Sequence, residues 1–168
     1  IEAKEFFDLN PSDIEVLIHP QSLVHAIASF CDGGMKAHIG PPDMRHAIAY
    51  ALHEEKRFNL NMAEVNLAEV GTLEFEKPDM SKYPALELGY EVLEHGGLAG
   101  AAFNAAKEEA LDNFLNRKLS FLGMADVVRA TMDELSSKNH LSSEVEIEAV
   151  IEIDLLARSV AKKFVGKY

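Results

Sequence analysis

The chain has 168 residues, 48% of them apolar and 26% charged, an ordinary globular balance that excludes disordered and fibrous classes. Lys and Arg total 16 against 28 Asp and Glu, a net charge of −12 that excludes a general nucleic-acid binder, because neutralising phosphates requires clustered basic residues. A single cysteine, Cys31, excludes an internal disulfide framework and fits a reducing compartment, and no apolar run is long enough to span a bilayer.

Residues 1–9 predict a helix, because Ile1, Phe6 and Leu9 can share one face before the stop signal Asn10-Pro11-Ser12-Asp13. The opening Ile1-Glu2-Ala3-Lys4 lacks both an initiator Met and a signal peptide, so the chain reads as a piece of a longer one. Ile14 to Ile18 predicts a strand ended by Pro20, and Leu23 to Cys31 a second. With Met35 to Ile39 across Asp32-Gly33-Gly34, the second strand predicts a hairpin. Met35, Ala37 and Ile39 alternate with Lys36 and His38, so one face is expected to be buried and the other wet or lining a site. Gly40-Pro41-Pro42-Asp43 breaks the sheet, and Met44 to Leu52 has helical spacing. Residues 54–70 are polar and irregular, and Thr72 to Glu76 alternates as a short strand closed by Pro78.

The second half changes character. Pro84 suits a helix start, Leu86, Gly89, Val92 and Leu93 make its inner stripe, and Gly96-Gly97 ends it. Leu98 to Leu115 is a second helix whose Ala-rich segment lets a neighbour approach closely, and Gly123 to Leu135 is a third. Ser143-Glu144-Val145-Glu146 fits a capping box opening a fourth helix that runs to about Phe164. The predicted fold class is therefore α+β: a partial mixed sheet with helices over 1–79, followed by a four-helix bundle over 80–168.

Of the seven histidines, His19, His25 and His38 fall on extended segments, and His46 and His53 on the following helix. Imidazole beside an anionic substrate can donate or shuttle a proton near neutrality, yet a single such histidine is more often a solvated or hydrogen-bonded surface group. No pair has the spacing of a zinc-hydrolase helix. Asp43 suits a helix cap better than catalysis. Gly97-Leu98-Ala99-Gly100 lacks the spacing of a dinucleotide fingerprint, and Cys31 has no cationic neighbour to activate it. The Glu144, Glu146, Glu148 and Glu152 series is the wet face of a helix.

Ile18-His19-Pro20-Gln21-Ser22-Leu23-Val24-His25 is more distinctive. It is followed by Asp32-Gly33, by Ala37-His38-Ile39-Gly40, and by Pro41-Pro42-Asp43-Met44-Arg45. Tyr83-Pro84-Ala85-Leu86 and Asn104-Ala105-Ala106-Lys107-Glu108 come later. In order and spacing these segments resemble the 1-deoxy-D-xylulose 5-phosphate reductoisomerases of non-mevalonate isoprenoid synthesis, over nearly the whole chain. The resemblance implies the end of the catalytic or connective domain (1–79) followed by the C-terminal bundle (80–168). It places the nucleotide domain, the acidic ligands of the divalent metal (Mg, Mn or Co) and most phosphate ligands upstream of Ile1, so the fragment alone is expected to be inactive. It implies that His25 and Ser22 lie close to the substrate and that Pro42 and Met44 pack near substrate and nicotinamide, with Met44 the residue on the NADPH side and no metal ligand in this chain. It also implies a phosphorylated sugar substrate, a homodimer formed through the sheet, and a bacterial cytosol or a plastid. The pattern departs from the family at Lys107, where Asn is usual, and at His46-Ala47, where Pro commonly follows Met-Arg. It departs again at His53-Glu54, which lacks an aromatic-Pro pair. Two rivals stand beside this reading. One is a non-enzymatic module that pairs a sheet edge and docks its acidic bundle on a basic surface. The other is a phosphosugar enzyme with different chemistry, for which His25 and His38 are the probes.

Overall fold

The computed structural model describes residues 1–54, 56–142 and 144–168. The chain divides into two units: Ile1–Glu15 with Asp79–Tyr168, and Val16–Pro78. Residues 1–15 thus group with the helices, and 16–78 form the hairpin unit.

In the helical unit, α1 (Glu2–Phe7) precedes a 3-10 turn at Pro11–Asp13. α1 ends two residues short of the expected stop, because Asp8 turns left-handed (φ 50°). The turn is closed by two bonds from Asn10 to one Asp13 carboxylate oxygen: the backbone N–H donates at 3.0 Å and the side-chain amide at 2.9 Å. Four longer helices follow: α4 (Pro84–His95), α5 (Ala99–Leu115), α6 (Phe121–Ser137) and α7 (Ile147–Val165). Pro84 opens α4, where its missing N–H is no loss, and Gly96 closes it at φ 66°, a left-handed value that glycine adopts without strain. The buried stripe of α4 is Leu88, Val92 and Leu93, so the inner face is rotated from the expected Leu86–Gly89 line. α6 starts at Phe121, before the expected Gly123, because the Ser120 hydroxyl accepts the Gly123 N–H at 3.0 Å. α7 begins at Ile147, and Glu146 at its start makes no side-chain cap bond. The expected capping box rests on Ser143, which lies outside the described residues.

The core belongs to these helices. Ala99, Ala102, Ala105, Ala106 and Ala110 line the buried face of α5, and their small side chains let α6 and α7 pack close. Val127, Leu135, Ile153, Val160 and Ala161 fill the opposing side. Thr131, the one buried polar side chain in this core, donates its hydroxyl to the Val127 carbonyl at 2.7 Å. The exposed faces carry ion pairs, including Arg158, which reaches both Asp154 and Glu108.

The hairpin unit contains β1 (Val24–Ser29) paired antiparallel with β2 (Met35–Ile39), then α2 (Arg45–Leu52) and the single turn α3 (Leu67–Val70). The pairings among described residues are antiparallel, where a mixed sheet was expected. The expected strands over 14–18 and 72–76 reduce to one bridge, in which Ile18 and Glu76 exchange backbone bonds of 2.8 and 2.9 Å. The apolar β-branched run stays extended without a ladder. Ile14 offers its carbonyl to the Tyr90 hydroxyl at 3.1 Å, a side-chain bond in place of a backbone one. The buried face expected of the hairpin is also absent: all five residues of β2 and five of six in β1 are exposed. Two strands by themselves have no layer to bury a face against.

Candidate functional site

Within the hairpin unit, the segment Ile18–Arg45 holds every residue singled out for function. Its first part is a tie. The His19 ring donates from Nδ1 to the Glu74 carbonyl at 2.7 Å and stacks on Phe75 with centroids 4.6 Å apart. The Gln21 amide donates to the Glu74 carboxylate at 3.0 Å and accepts the Glu74 N–H at 3.3 Å. His19 is therefore a fastening group. This tie leads into Ser22, which sits at φ 52° in a tight turn and donates its N–H to the His19 carbonyl at 3.0 Å.

His25 occupies a β-bulge. Val24 pairs with Ile39 and Ala26 with His38, so His25 is the extra residue on β1. A bulge re-aims the side chain it carries, and here the ring turns toward the end of β2. Its Nε2 lies 3.1 Å from the Gly40 carbonyl oxygen and 3.3 Å from that of Pro41. Carbonyl oxygens only accept, so Nε2 carries the hydrogen and Nδ1 keeps its lone pair in neutral His25.

Two further rings complete a cluster. His38 lies 5.6 Å from His25 and 5.2 Å from His46, and His25 and His46 are 5.8 Å apart, centroid to centroid. Although His38 is exposed, partial desolvation within the ring cluster holds its pKa below the ordinary histidine value, and the neighbouring His46, His25 and Arg57 push it the same way. His46 also points Nε2 at the Pro41 carbonyl, at 3.3 Å, while its Nδ1 is buried without a partner among the described residues.

Beyond the turn, Pro42 is exposed and Met44 is 69% exposed, so together they form an apolar ledge. Asp43 fixes the approach to α2. Its carboxylate takes the Arg45 backbone N–H at 2.9 Å and grips the Arg45 guanidinium at 2.6 Å. Those side-chain bonds hold the Asp43 pKa down at about 2. Asp43 was expected to cap α2, but the N-cap position is Met44 and carries no side-chain cap bond; Asp43 instead closes a local turn onto Arg45 just before the helix.

Of the site residues expected from sequence, His25, Pro42 and Met44 thus share one turn, and Ser22 stands at the head of the strand carrying His25. What sequence missed is the partnership of His46 with His25. The signal was available only as a departure from a familiar pattern, since a helical spacing cannot show that His46 reaches back to its own N-terminal turn. Lys107, another departure, lies on the exposed face of α5, away from the buried alanines. Cys31 is exposed and free. Among the described residues, no group of three or more His, Cys, Asp or Glu could hold a metal ion, and no helix is long and apolar enough to cross a membrane.

The fold and site define an α+β protein with a four-helix unit and a hairpin unit that carries a bulged histidine beside exposed Pro42 and Met44. Residues 39–160 match the family model described as the DXP reductoisomerase C-terminal domain, and the chain belongs to that family. The 1-deoxy-D-xylulose 5-phosphate reductoisomerase of Jannaschia sp. (strain CCS1) is 49% identical over 162 residues, covering 96% of this chain and 41% of that one. Among solved structures, the Zymomonas mobilis enzyme in complex with NADPH has 34% identity and a TM-score of 0.84, over 98% of this chain and 42% of that one. A DOX-P reductoisomerase in complex with NADPH, fosmidomycin and magnesium has 32% identity and a TM-score of 0.92, over 98% of this chain and 41% of that one. The chain therefore spans about two fifths of the length of the curated relatives it matches.

Proposed function

We propose that this chain is the substrate-facing end of the catalytic domain (1–79) plus the C-terminal bundle (80–168) of an NADPH- and divalent-metal-dependent reductoisomerase. The intact enzyme converts 1-deoxy-D-xylulose 5-phosphate to 2-C-methyl-D-erythritol 4-phosphate, works as a homodimer and resides in a bacterial cytosol. The observation that carries this is the bulged His25 beside the Gly40–Met44 turn in a chain whose residues 39–160 match that family.

When bound, NADPH supplies the hydride and the divalent cation polarises the substrate's oxygens. No group of three or more His, Cys, Asp or Glu among the described residues is arranged to hold that cation, and no step is routed from it through this chain. The chain's own contribution is shape and polarity. Pro42 and Met44 present an apolar wall that excludes water from the reacting carbon. His25 has its Nε2–H engaged by the turn, which leaves Nδ1 as the ring atom free to meet a ligand. It accepts a hydrogen bond from a substrate hydroxyl when neutral, and donates to a phosphate oxygen when protonated. Ser22, held at the strand entry, adds a hydroxyl on the same strand.

The test uses the full-length enzyme. His25→Ala is expected to raise the KM for the phosphorylated substrate by about tenfold, the size of one lost charge-assisted hydrogen bond. An unchanged KM removes His25 from the pocket. Residues 1–168 alone are expected not to oxidise NADPH in the presence of substrate. Turnover by that polypeptide overturns the proposed division of labour.

A further inference from the structure

His46 has no role in the function proposed above, yet its ring is built into the turn. Its Nε2 shares the Pro41 carbonyl oxygen with Nε2 of His25, both at 3.3 Å. The same oxygen accepts the Asp43 backbone N–H at 2.7 Å, so three donors converge on it, one from β1, one from α2 and one from the turn itself. Gly40 is shaped to admit the ring: a methyl group there would stand 3.1 Å from His46 Nε2 and 4.0 Å from His25 Nε2. Gly40 is also the one buried residue among the described residues of Val16–Pro78, with its N–H given to the Leu23 carbonyl at 2.9 Å. The contacts therefore converge on the peptide units immediately before Pro42.

We propose that His46 is a positioning residue for the Pro41–Met44 ledge. It donates Nε2–H to the Pro41 carbonyl opposite His25 and so holds Pro42 and Met44 in place against the bound substrate. This inference rests on the function proposed above. Along the backbone, the Asp43 N–H bonds the Pro41 carbonyl at 2.7 Å and the Ile48 N–H bonds the Met44 carbonyl at 3.0 Å, and His46 adds a side-chain bond from α2 to the same turn. Met44 and Pro42 are exposed, and on the far side the turn is held by the Asp43 carboxylate through Arg45. The clamp requires the Nε2–H form of both rings. It leaves the buried His46 Nδ1 as a lone pair in the neutral ring, a milder orphan than an unpaired N–H. His38 packs edge-on against both rings, 5.6 Å from His25 and 5.2 Å from His46. Its depressed pKa keeps it neutral at pH 7, so it supports the pair without adding a charge. The other charged groups at the cluster are Arg57, which acts on His38, and the Asp43–Arg45 pair, of which Asp43 feels His46.

Two measurements on the full-length enzyme test the clamp. The first is independent of activity: long-range nitrogen–proton NMR of labelled histidine at pH 8. His25 and His46 are expected as Nε2–H tautomers, and a Nδ1–H tautomer at His46 overturns the inference. The second is kinetic. Glutamine places an amide nitrogen near the position of Nε2, whereas asparagine and alanine do not. His46→Ala and His46→Asn are expected to raise the KM for the phosphorylated substrate about fivefold, the effect of one neutral hydrogen bond, with kcat within about twofold. His46→Gln is expected to recover most of that loss. A parental KM in His46→Ala, a His46→Gln no better than His46→Ala, or a loss confined to kcat overturns it. If the parent enzyme fails to turn over the substrate, the proposed function falls, and the tautomer measurement still decides the clamp.

Discussion

The helical unit and the hairpin unit are built on opposite terms. In the first, Ala99, Ala102, Ala105, Val127, Leu135 and Ala157 have no exposed surface. In the second, Gly40 is the only buried residue among those described, and Ile27, Met35, Ile39, Met44 and Ile48 are exposed. A four-helix unit closes a core on itself because each helix has neighbours on which to bury its stripe. In the hairpin unit the described residues are ordered instead by hydrogen bonds and tight turns, such as the Gly40–Leu23 bond and the Asp43–Arg45 pair. The lesson is a division of roles. Stability resides in the bundle, and the groups suited to chemistry sit on the part whose geometry is set by polar contacts.

That contrast can be broken by mutation. Leu135→Ala empties a fully buried position in the bundle and is expected to cost about 2–5 kcal/mol, read by chemical denaturation of the helical signal. Ile27→Ser on β1 is expected to change the same transition by less than about 0.5 kcal/mol, because a side chain already 40% exposed has little burial to lose. If the two substitutions cost the same, the contrast between the units is wrong. Arg158→Ala removes the link to Asp154 and Glu108 on the bundle surface. Its effect should be small and should shrink further in high salt, since exposed pairs are screened. The smallest effect is that of pH on the hairpin unit. His38 titrates below the ordinary histidine value of 6.5, so the unfolded chain takes up the proton first. Stability is therefore complete above pH 6.5 and declines as pH falls through the lowered pKa. Asp43 behaves likewise in stronger acid: stability is present above 3.8 and is lost toward about pH 2. Histidine-resolved NMR titration checks the first window. His38→Gln should abolish it.

Much of the bundle was legible in the sequence. Pro84, Gly96 and the alanines of α5 act through local stereochemistry and side-chain volume, which a linear pattern displays. The hairpin was legible too, since Asp32-Gly33-Gly34 between alternating runs leaves few alternatives. The strands expected at 14–18 and 72–76 were not, because a β-propensity is satisfied only when another backbone lies alongside, and each run found one pairing residue. Hairpin burial failed for the same reason, one level up: alternation reveals two faces but not whether a layer covers either of them. At the site, motif order marked His25, Pro42 and Met44, while His46 carried no motif at all.

The sequence by itself determined the four long helices, the Pro84 start and Gly96 end of α4, the turn at Asp32-Gly33-Gly34 and the family to which the chain belongs, because these depend on neighbours within a few residues or on a recognisable order of segments. Only the tertiary structure decided that His25 falls in a bulge, that His38 and His46 gather around it, and that two imidazoles converge on the Pro41 carbonyl oxygen. Those outcomes depend on strand register and on the angle at which α2 leaves the turn, and both are settled by through-space packing between residues that no local pattern brings together.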